Sequence, residues 1–408
     1  MKCGLLGRKL GHSYSPQIHA MLGSYSYALF EKEPEEIEAF LKCGDWAGIN
    51  VTVPYKKSVI PYLDELTPTA EKLGAVNVIV RRNGRLIGHN TDFFGFQTML
   101  NASKLDISGK KALVLGSGGA SNTVCAVLND DGAEVVIISR SGENNYTNLH
   151  LHKDAALIVN TTPVGMYPNT GIAPVDLEQF PNLQGVLDVV YNPSRTKLLL
   201  DAEKNTNLVC ANGLLMLVAQ AKEAAEWFTD ASISDDVIEP ILHTLENQMQ
   251  NIILIGMPGC GKTTIGKLLA ESTGKAFVDS DERIVALAGK SIPEIFADDG
   301  EAVFRDWETT ALAQLSKQSG LVIATGGGCV TRECNYGLLH QNGRIFWLQR
   351  DLNLLPVDGR PLSQANKLEV LYKIRKPMYE AFADHTVSNR NNPDSTVRQI
   401  LRILEGAT

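Results

Sequence analysis

One stretch limits the fold of this chain more than any other: Gly256-Met-Pro-Gly-Cys-Gly-Lys262-Thr263, set between the apolar run Ile252–Ile255 and a helical stretch from Thr264. Glycines at these spacings let successive backbone N–H groups turn inward around phosphate oxygens. Lys262 adds a positive charge there and Thr263 a hydroxyl for a divalent cation. The arrangement works where a strand of a parallel sheet hands over to a helix, so a nucleotide-binding α/β unit has to start close to Asn251. Just before it, Ser234–Gln250 spaces Val237, Ile241, Leu242 and Leu245 as a helix does, which places a boundary near Gln248. At 408 residues the chain is too long for one ordinary core, so residues 1–247 must fold around cores of their own.

Both halves alternate short β-rich runs with helical stretches, the pattern of parallel α/β sheets. Strands are predicted at Gly48–Val53, Ala112–Leu115, Glu134–Ile138, Ala156–Asn160, Val186–Val190, Ile252–Ile255, Leu321–Ala324 and Arg344–Leu348. No apolar run approaches the roughly 20 residues that span a bilayer. Met1–Gly11 lacks the layout of a secretion signal, its apolar patch ending at Arg8 and Lys9. A net charge of -8 is the wrong sign for a nucleic-acid partner. Seven cysteines without a C-x-x-C pair read as reduced thiols of a cytoplasmic protein, and Cys329 and Cys334 lack the further ligands of a metal site. Small molecules are the expected partners; no pattern sets an oligomeric state. No Gly/Ser-rich linker separates the halves, which predicts docking rather than loose stringing.

Beyond the loop, Phe277-Val-Asp279-Ser-Asp281 puts two carboxylates at alternate positions at the end of a predicted strand, on the phosphate side. One can hold the water shell of a metal ion while the other meets an acceptor hydroxyl, as phosphoryl transfer requires. Arg305 lies among apolar residues with Glu308 one helical turn on, placed to orient it. Gly326-Gly327-Gly328 ends a strand where substrate can approach the backbone, and Arg360 and Arg375 are further candidate anion ligands. This set, with G-E-x-x-F-R-x-x-E, G-R-P-L and R-K-P-M-Y, resembles the shikimate kinase family almost throughout the stretch from Asn251. The resemblance implies that Asp281 contacts the acceptor hydroxyls as base, and that Arg305 and Arg375 hold a carboxylate, which suits bidentate arginine. It implies that Gly327 and Gly328 line the pocket and that Arg360 belongs to a lid. Gly259, Cys260, Gly261, Lys262, Thr263 and Thr264 are expected to surround the phosphates of ATP, and Thr263 and Asp279 to serve Mg²⁺. One departure stands out: only Gln349–Gly359 separate Leu348 from Arg360, where the family has a longer lid.

In the first half, Gly116-Ser-Gly118-Gly119-Ala120-Ser121 follows a strand and opens a helix, as a dinucleotide-binding turn does, with Ser121 at the usual third glycine. The next strand ends in Arg140, where an arginine suits the 2′-phosphate of NADP. Upstream, Ser13 and Ser15 offer hydroxyls beside Pro16, Gly48-Ile-Asn50-Val-Thr52-Val-Pro-Tyr-Lys56 ends a strand in polar groups, and Asn90-Thr91-Asp92 adds a carboxylate. Ketone reduction needs a proton donor at the carbonyl oxygen, and a lysine oriented by an aspartate fits that role. With Gly74-Ala-Val-Asn77, Val190-Tyr191-Asn-Pro and Asn212-Gly213-Leu-Leu-Met216-Leu-Val-Ala-Gln220, these clusters resemble the shikimate dehydrogenase family over roughly Lys2–Phe228. The resemblance implies Lys56 and Asp92 as the catalytic pair. It gives Ser13, Ser15, Thr52, Asn77, Asp92, Tyr191 and Gln220 to shikimate, and Gly213 and Met216 to the nicotinamide wall. Only Ser141–Ala155 lead from Arg140 to the next strand, shorter than is common in the family, and no second basic residue stands at 142–148.

The expected architecture is an α/β substrate domain (1–101, completed by return helices at 212–247) with an inserted Rossmann-like NADP domain at 102–211. A P-loop parallel-sheet kinase domain follows at 248–408. The expected activities are NADPH-dependent reduction of 3-dehydroshikimate and ATP- and Mg²⁺-dependent phosphorylation of the shikimate so formed. The alternatives are a kinase whose first half is inactive or acts on quinate.

Overall fold

The computed structural model describes residues 1–11, 13–355, 365–390 and 392–406, with backbone only over 365–367. It divides into two compact units, one of Met1–Met166, Ile172–Tyr191 and Asp201–Thr244, the other of Tyr167–Gly171, Asn192–Leu200 and Leu245–Thr408. The fold is mixed α/β with parallel sheets, and among the described residues no helix is long and apolar enough to cross a membrane.

The first unit opens with six strands, β1 (Lys2–Gly7), β2 (Ser26–Glu31), β3 (Gly48–Val51), β4 (Glu65–Leu66), β5 (Val78–Arg82) and β6 (Arg85–His89), in the order β2-β1-β3-β5-β6-β4. Strand β1 runs parallel to β2 and β3, but β5 is antiparallel to both β3 and β6. That corrects the expectation of parallel pairing throughout. Asn83 and Gly84, at φ 52° and 76°, turn β5 into β6 with the left-handed pair of residues that a two-residue hairpin needs. Strand β3 stops two residues short of the predicted Val53, because the chain turns there, the Thr52 carbonyl accepting the Tyr55 N–H at 2.9 Å.

Five parallel strands follow, β7 (Lys111–Leu115), β8 (Glu134–Ile138), β9 (Leu157–Asn160), β10 (Gly185–Asp188) and β11 (Val209–Asn212), in the order β11-β10-β9-β7-β8. Strand β10 ends before the predicted Val190 because the Asp188 side chain accepts the Val190 N–H at 3.0 Å. The short connection after β8 is closed by asparagines. Asn145 N–H donates to Asn148 Oδ1 at 2.8 Å, and Asn148 Nδ2 donates to the Glu143 carbonyl at 2.9 Å. A single 3₁₀ turn at Leu149–His152 then leads to β9. The 214–229 helix returns to the first sheet and packs on the 15–22 and 92–103 helices and on β3 and β5. Its buried face, which includes Leu214, Val218, Ala221, Ala224 and Phe228, has the 3.6-residue period of an amphipathic helix.

The second unit carries β12 (Asn251–Ile255), β13 (Ala276–Asp279), β14 (Leu321–Ala324), β15 (Gly343–Gln349) and β16 (His385–Ser388), all parallel, in the order β13-β14-β12-β15-β16. Strand β12 is central and buried along its whole length, so the glycine-rich loop leaves the carboxyl end of the middle strand. The foot of this sheet is stapled by Asn251, which is fully buried. Its Nδ2 donates to the Gln318 carbonyl at 2.7 Å and its Oδ1 accepts the Leu321 N–H at 2.8 Å. Asn251→Leu keeps the bulk but leaves both buried groups without partners, which costs about 1–3 kcal/mol. Hydrogen exchange should show β12 and β14 amides less protected by that amount; unchanged protection would contradict the staple.

Candidate active sites

Strand β3 ends beside the start of the 92–103 helix, and there Lys56 Nζ meets Asp92 Oδ2 at 2.6 Å. The carboxylate is held from its other side, where Asn77 Nδ2 donates to Asp92 Oδ1 and to Thr91 Oγ1, each at 3.0 Å. Asn77 Oδ1 in turn accepts the Thr91 N–H at 2.7 Å, and Asn90 Oδ1 accepts the Asp92 N–H at 3.0 Å. The aspartate is therefore fixed in rotation with one oxygen reserved for the ammonium.

A cavity of about 290 Å³ opens on this pair. Its lining includes Ser13, Ser15, Thr52, Asn77 and Tyr191, together with Ala120, Gly213, Met216 and Gln220. Gly95 makes the juxtaposition possible: a Cβ there would lie 2.6 Å from the Met216 carbonyl oxygen and 3.0 Å from Gln220 Cβ. Without that side chain the 92–103 and 214–229 helices cross closely enough for Thr91 Oγ1 to reach Gln220 Oε1 at 3.4 Å. Gly213 is closed in by Val189, and its N–H donates to the Val190 carbonyl at 3.2 Å.

The cofactor candidates Gly116, Gly118 and Gly119 lie in the turn between β7 and the 119–130 helix, outside the cavity lining. Space is open above Gly118 and Gly119, where no atom stands within 4 Å of an added Cβ, so the helix N-terminus is free to face an anion. Ser121, at the position of the usual third glycine, is buried, its Oγ 3.9 Å from Cys125 Sγ one helical turn on. Arg140 is exposed just past β8, near enough to Tyr146 to oppose the effect of burial, which raises that phenol above its ordinary range.

Two groups escaped the sequence reading. Tyr14, between the two serines, packs edge-on against Tyr191 with ring centres 6.1 Å apart. Burial raises the Tyr191 phenol above its ordinary range, keeping it a hydrogen-bond donor. Asn50, seen only as part of a polar strand end, also lines the cavity. Alternation along β3 puts it on the face shared with Thr52, which was the available signal.

In the second unit, Gly259, Cys260 and Gly261 run from β12 into the 262–273 helix, which Lys262, Thr263 and Thr264 begin. Lys262 Nζ folds back into the loop, donating to the carbonyls of Gly256 at 2.8 Å and Met257 at 3.1 Å. Thr263 Oγ1 donates to Asp279 Oδ2 at 3.0 Å, while Asp279 Oδ1 caps the next helix through the Asp281 N–H at 3.0 Å. A hydroxyl beside a carboxylate at a phosphate loop is a donor set that fits Mg²⁺, which prefers oxygen ligands. The loop itself fits a nucleotide phosphate chain.

Across from this loop stand Asp281, Arg305, Gly326–Gly328 and Arg375. Arg305 is 7% exposed and donates to Glu308 Oε2 at 2.8 Å and to Glu301 Oε1 at 3.0 Å. Burial pulls its pKa down, but the Glu308 and Glu301 carboxylates outweigh that and hold it above the usual range. Arg375 Nη1 donates to the Gly327 carbonyl at 3.1 Å, and Tyr379 Oη donates to the same oxygen at 2.5 Å. Two buried guanidinium groups beside the Gly326–Gly328 turn are suited in shape and charge to an anion of carboxylate form. Arg360 lies outside the described residues.

The sequence profile for the shikimate dehydrogenase substrate binding domain matches residues 5–79, and that for shikimate kinase matches residues 258–405. The chain is 38% identical over 266 residues to shikimate dehydrogenase (NADP(+)) of Clostridium perfringens, an alignment covering 60% of this chain and 97% of that protein. The crystal structure of shikimate dehydrogenase 1 from Peptoclostridium difficile superposes with a TM-score of 0.55 at 37% identity, over 60% of this chain and 97% of that one. The Thermus thermophilus shikimate 5-dehydrogenase in complex with NADP(H) and shikimate gives a TM-score of 0.55 at 30% identity, over 60% and 99%.

A methyl group built on Gly328 would fall on the Arg305 guanidinium, so Gly328→Ala forces Arg305 off its pair with Glu308. Losing a charge-assisted contact is worth about 1.5–3 kcal/mol. The KM for the phosphoryl acceptor should rise about 10- to 100-fold, with the KM for ATP little changed. Steady-state kinetics with each substrate varied in turn would show an unchanged acceptor KM if Arg305 took no part.

Proposed function

Because the chain belongs to the shikimate dehydrogenase family and carries a shikimate kinase domain at its C-terminus, we propose that it performs two consecutive steps of the shikimate pathway. The first is reduction of 3-dehydroshikimate to shikimate, and the second is phosphorylation of shikimate to shikimate 3-phosphate. When bound, NADPH supplies the hydride, and ATP with Mg²⁺ supplies the phosphoryl group.

Lys56 stands as the proton donor to the substrate's carbonyl oxygen, and Asp92 holds the ammonium in place at 2.6 Å. Asn77 prevents Asp92 from turning away, so the pair stays aimed while substrate enters. Ser13, Ser15, Thr52, Tyr191 and Gln220 offer hydroxyl and amide groups to the hydroxyls and carboxylate of the ring acid. Gly213 and Met216 supply the wall against which the nicotinamide lies. Gly116, Gly118, Gly119 and Ala120 border the pyrophosphate, and Arg140 is the counter-charge for the 2′-phosphate.

In the second unit Asp281 takes the proton of the attacking hydroxyl, while Arg305 and Arg375 hold the substrate carboxylate beside the Gly327 and Gly328 backbone. Lys262 and the amides of Gly259, Cys260, Gly261, Thr263 and Thr264 surround the phosphates. Thr263 and Asp279 are the ligands offered to the metal shell. The observation that carries the reading is the Lys56–Asp92 pair at 2.6 Å on the wall of a cavity, in a chain whose other unit holds a phosphate loop facing two buried arginines. The intact pair also argues against a silent first half.

The two sites should fail separately. Lys56→Ala removes the proton donor and should cost reduction about 10²–10⁴-fold, with phosphorylation kept. Lys262→Met should abolish phosphorylation with reduction kept. Assays of both activities on each purified variant test this, and one substitution silencing both activities in a folded chain would overturn the two-site reading.

A further inference from the structure

Beside the cavity of the first unit lies a packed aromatic group that meets the cavity lining through Tyr27, whose hydroxyl neighbours Ser15 as well as Asn50. Tyr27, on β2, reaches across β1 and donates its hydroxyl to Asn50 Oδ1 at 2.7 Å. Asn50, on β3, is 6% exposed and lines the cavity. The amide has only one consistent orientation. Asn50 Nδ2 stands 3.5 Å from the Asn77 carbonyl, a group that can only accept, so the nitrogen belongs on that side and the oxygen belongs to Tyr27.

Tyr27 is itself clamped. The His19 ring stacks on it with centroids 4.1 Å apart and planes 12° apart, and His19 Nδ1 is bonded to the Tyr25 hydroxyl at 2.6 Å. His19 is almost wholly enclosed, and burial pushes its pKa down to about 3, so the stacked ring is neutral. Burial likewise holds the Tyr27 phenol well above its ordinary 10, so it remains a donor.

We propose that Tyr27 is a positioning residue of the reductase site: its hydroxyl fixes the Asn50 amide so that this wall of the cavity presents N–H donors to an oxygen of the bound ring acid. Selection of an oxygen-bearing substrate at that wall then depends on a phenol that touches no substrate. The inference rests on the reading of the first unit as a 3-dehydroshikimate reductase. Removing the hydroxyl while keeping the ring leaves the His19 stack in place but strips Asn50 Oδ1 of its Tyr27 donor, so the amide is held less firmly at the long 3.5 Å contact of Nδ2 with the Asn77 carbonyl.

The test is a double-mutant cycle in the full chain with Tyr27→Phe, Asn50→Ala and both together. Tyr27→Phe alone should raise the KM for 3-dehydroshikimate about tenfold, the usual worth of one intramolecular hydrogen bond, with the KM for NADPH unchanged. In the Asn50→Ala background the same change should add nothing. The melting temperature and the kinase activity of each variant report whether the chain is folded. An unchanged KM in Tyr27→Phe, or the same loss with and without Asn50, would overturn the inference while leaving the reductase reading intact. Absence of reductase turnover in the unsubstituted chain would defeat that reading and the inference with it.

Discussion

The contact between Lys56 and Asp92 sets the terms for the first unit. A lysine in the turns that follow β3 and an aspartate at the first turn of a helix have to arrive within 2.6 Å of each other, with side chains only 25% and 13% exposed. Such a pair adds little to stability, since what it gains in attraction it loses in desolvation. In the proposed function its worth is chemical. The helix N-terminus favours the carboxylate, Asn77 stops it from rotating, and the ammonium is left with donors for substrate. Everything that brings the pair to the cavity follows from close packing: the Gly95 crossing, the return of the 214–229 helix to the first sheet, and the parallel run of β1 and β3.

The second unit solves a different problem with the same means. A guanidinium as enclosed as that of Arg305 is expensive unless paired. Glu308 supplies the pair from within the same helix, and burial raises its own carboxyl above the ordinary 4.5 against the pull of Arg305. Gly326–Gly328 then let that ion pair lie directly on the backbone at the carboxyl end of β14. Charge is thus held in a form that cannot relax away, which is what electrostatic preorganisation requires.

Local sequence patterns revealed most of this architecture, because the features concerned are themselves local. The phosphate loop is eight residues long, the dinucleotide turn six, and the Arg305–Glu308 pair spans one helical turn. Contacts made across strands were not legible. The Tyr27–Asn50 bond joins residues 23 apart over an intervening strand, and nothing in either segment announces it. The β5–β6 hairpin is a different kind of miss, since Asn83-Gly84 between two β-rich runs is a sufficient hairpin signal and the α/β alternation obscured it. Strand ends slipped by a residue or two where a side chain, such as Asp188, captured the next backbone N–H.

The central claim is that one chain reduces a ketone in its first unit and phosphorylates the resulting alcohol in its second. A single reaction puts it to trial: purified chain, 3-dehydroshikimate, NADPH, ATP and Mg²⁺, with nicotinamide absorbance, ADP and shikimate 3-phosphate followed together. The account predicts that NADPH is consumed mole for mole with ADP release and product, and that shikimate accumulates when ATP is left out. NADPH left untouched, while added shikimate is still phosphorylated, would contradict it.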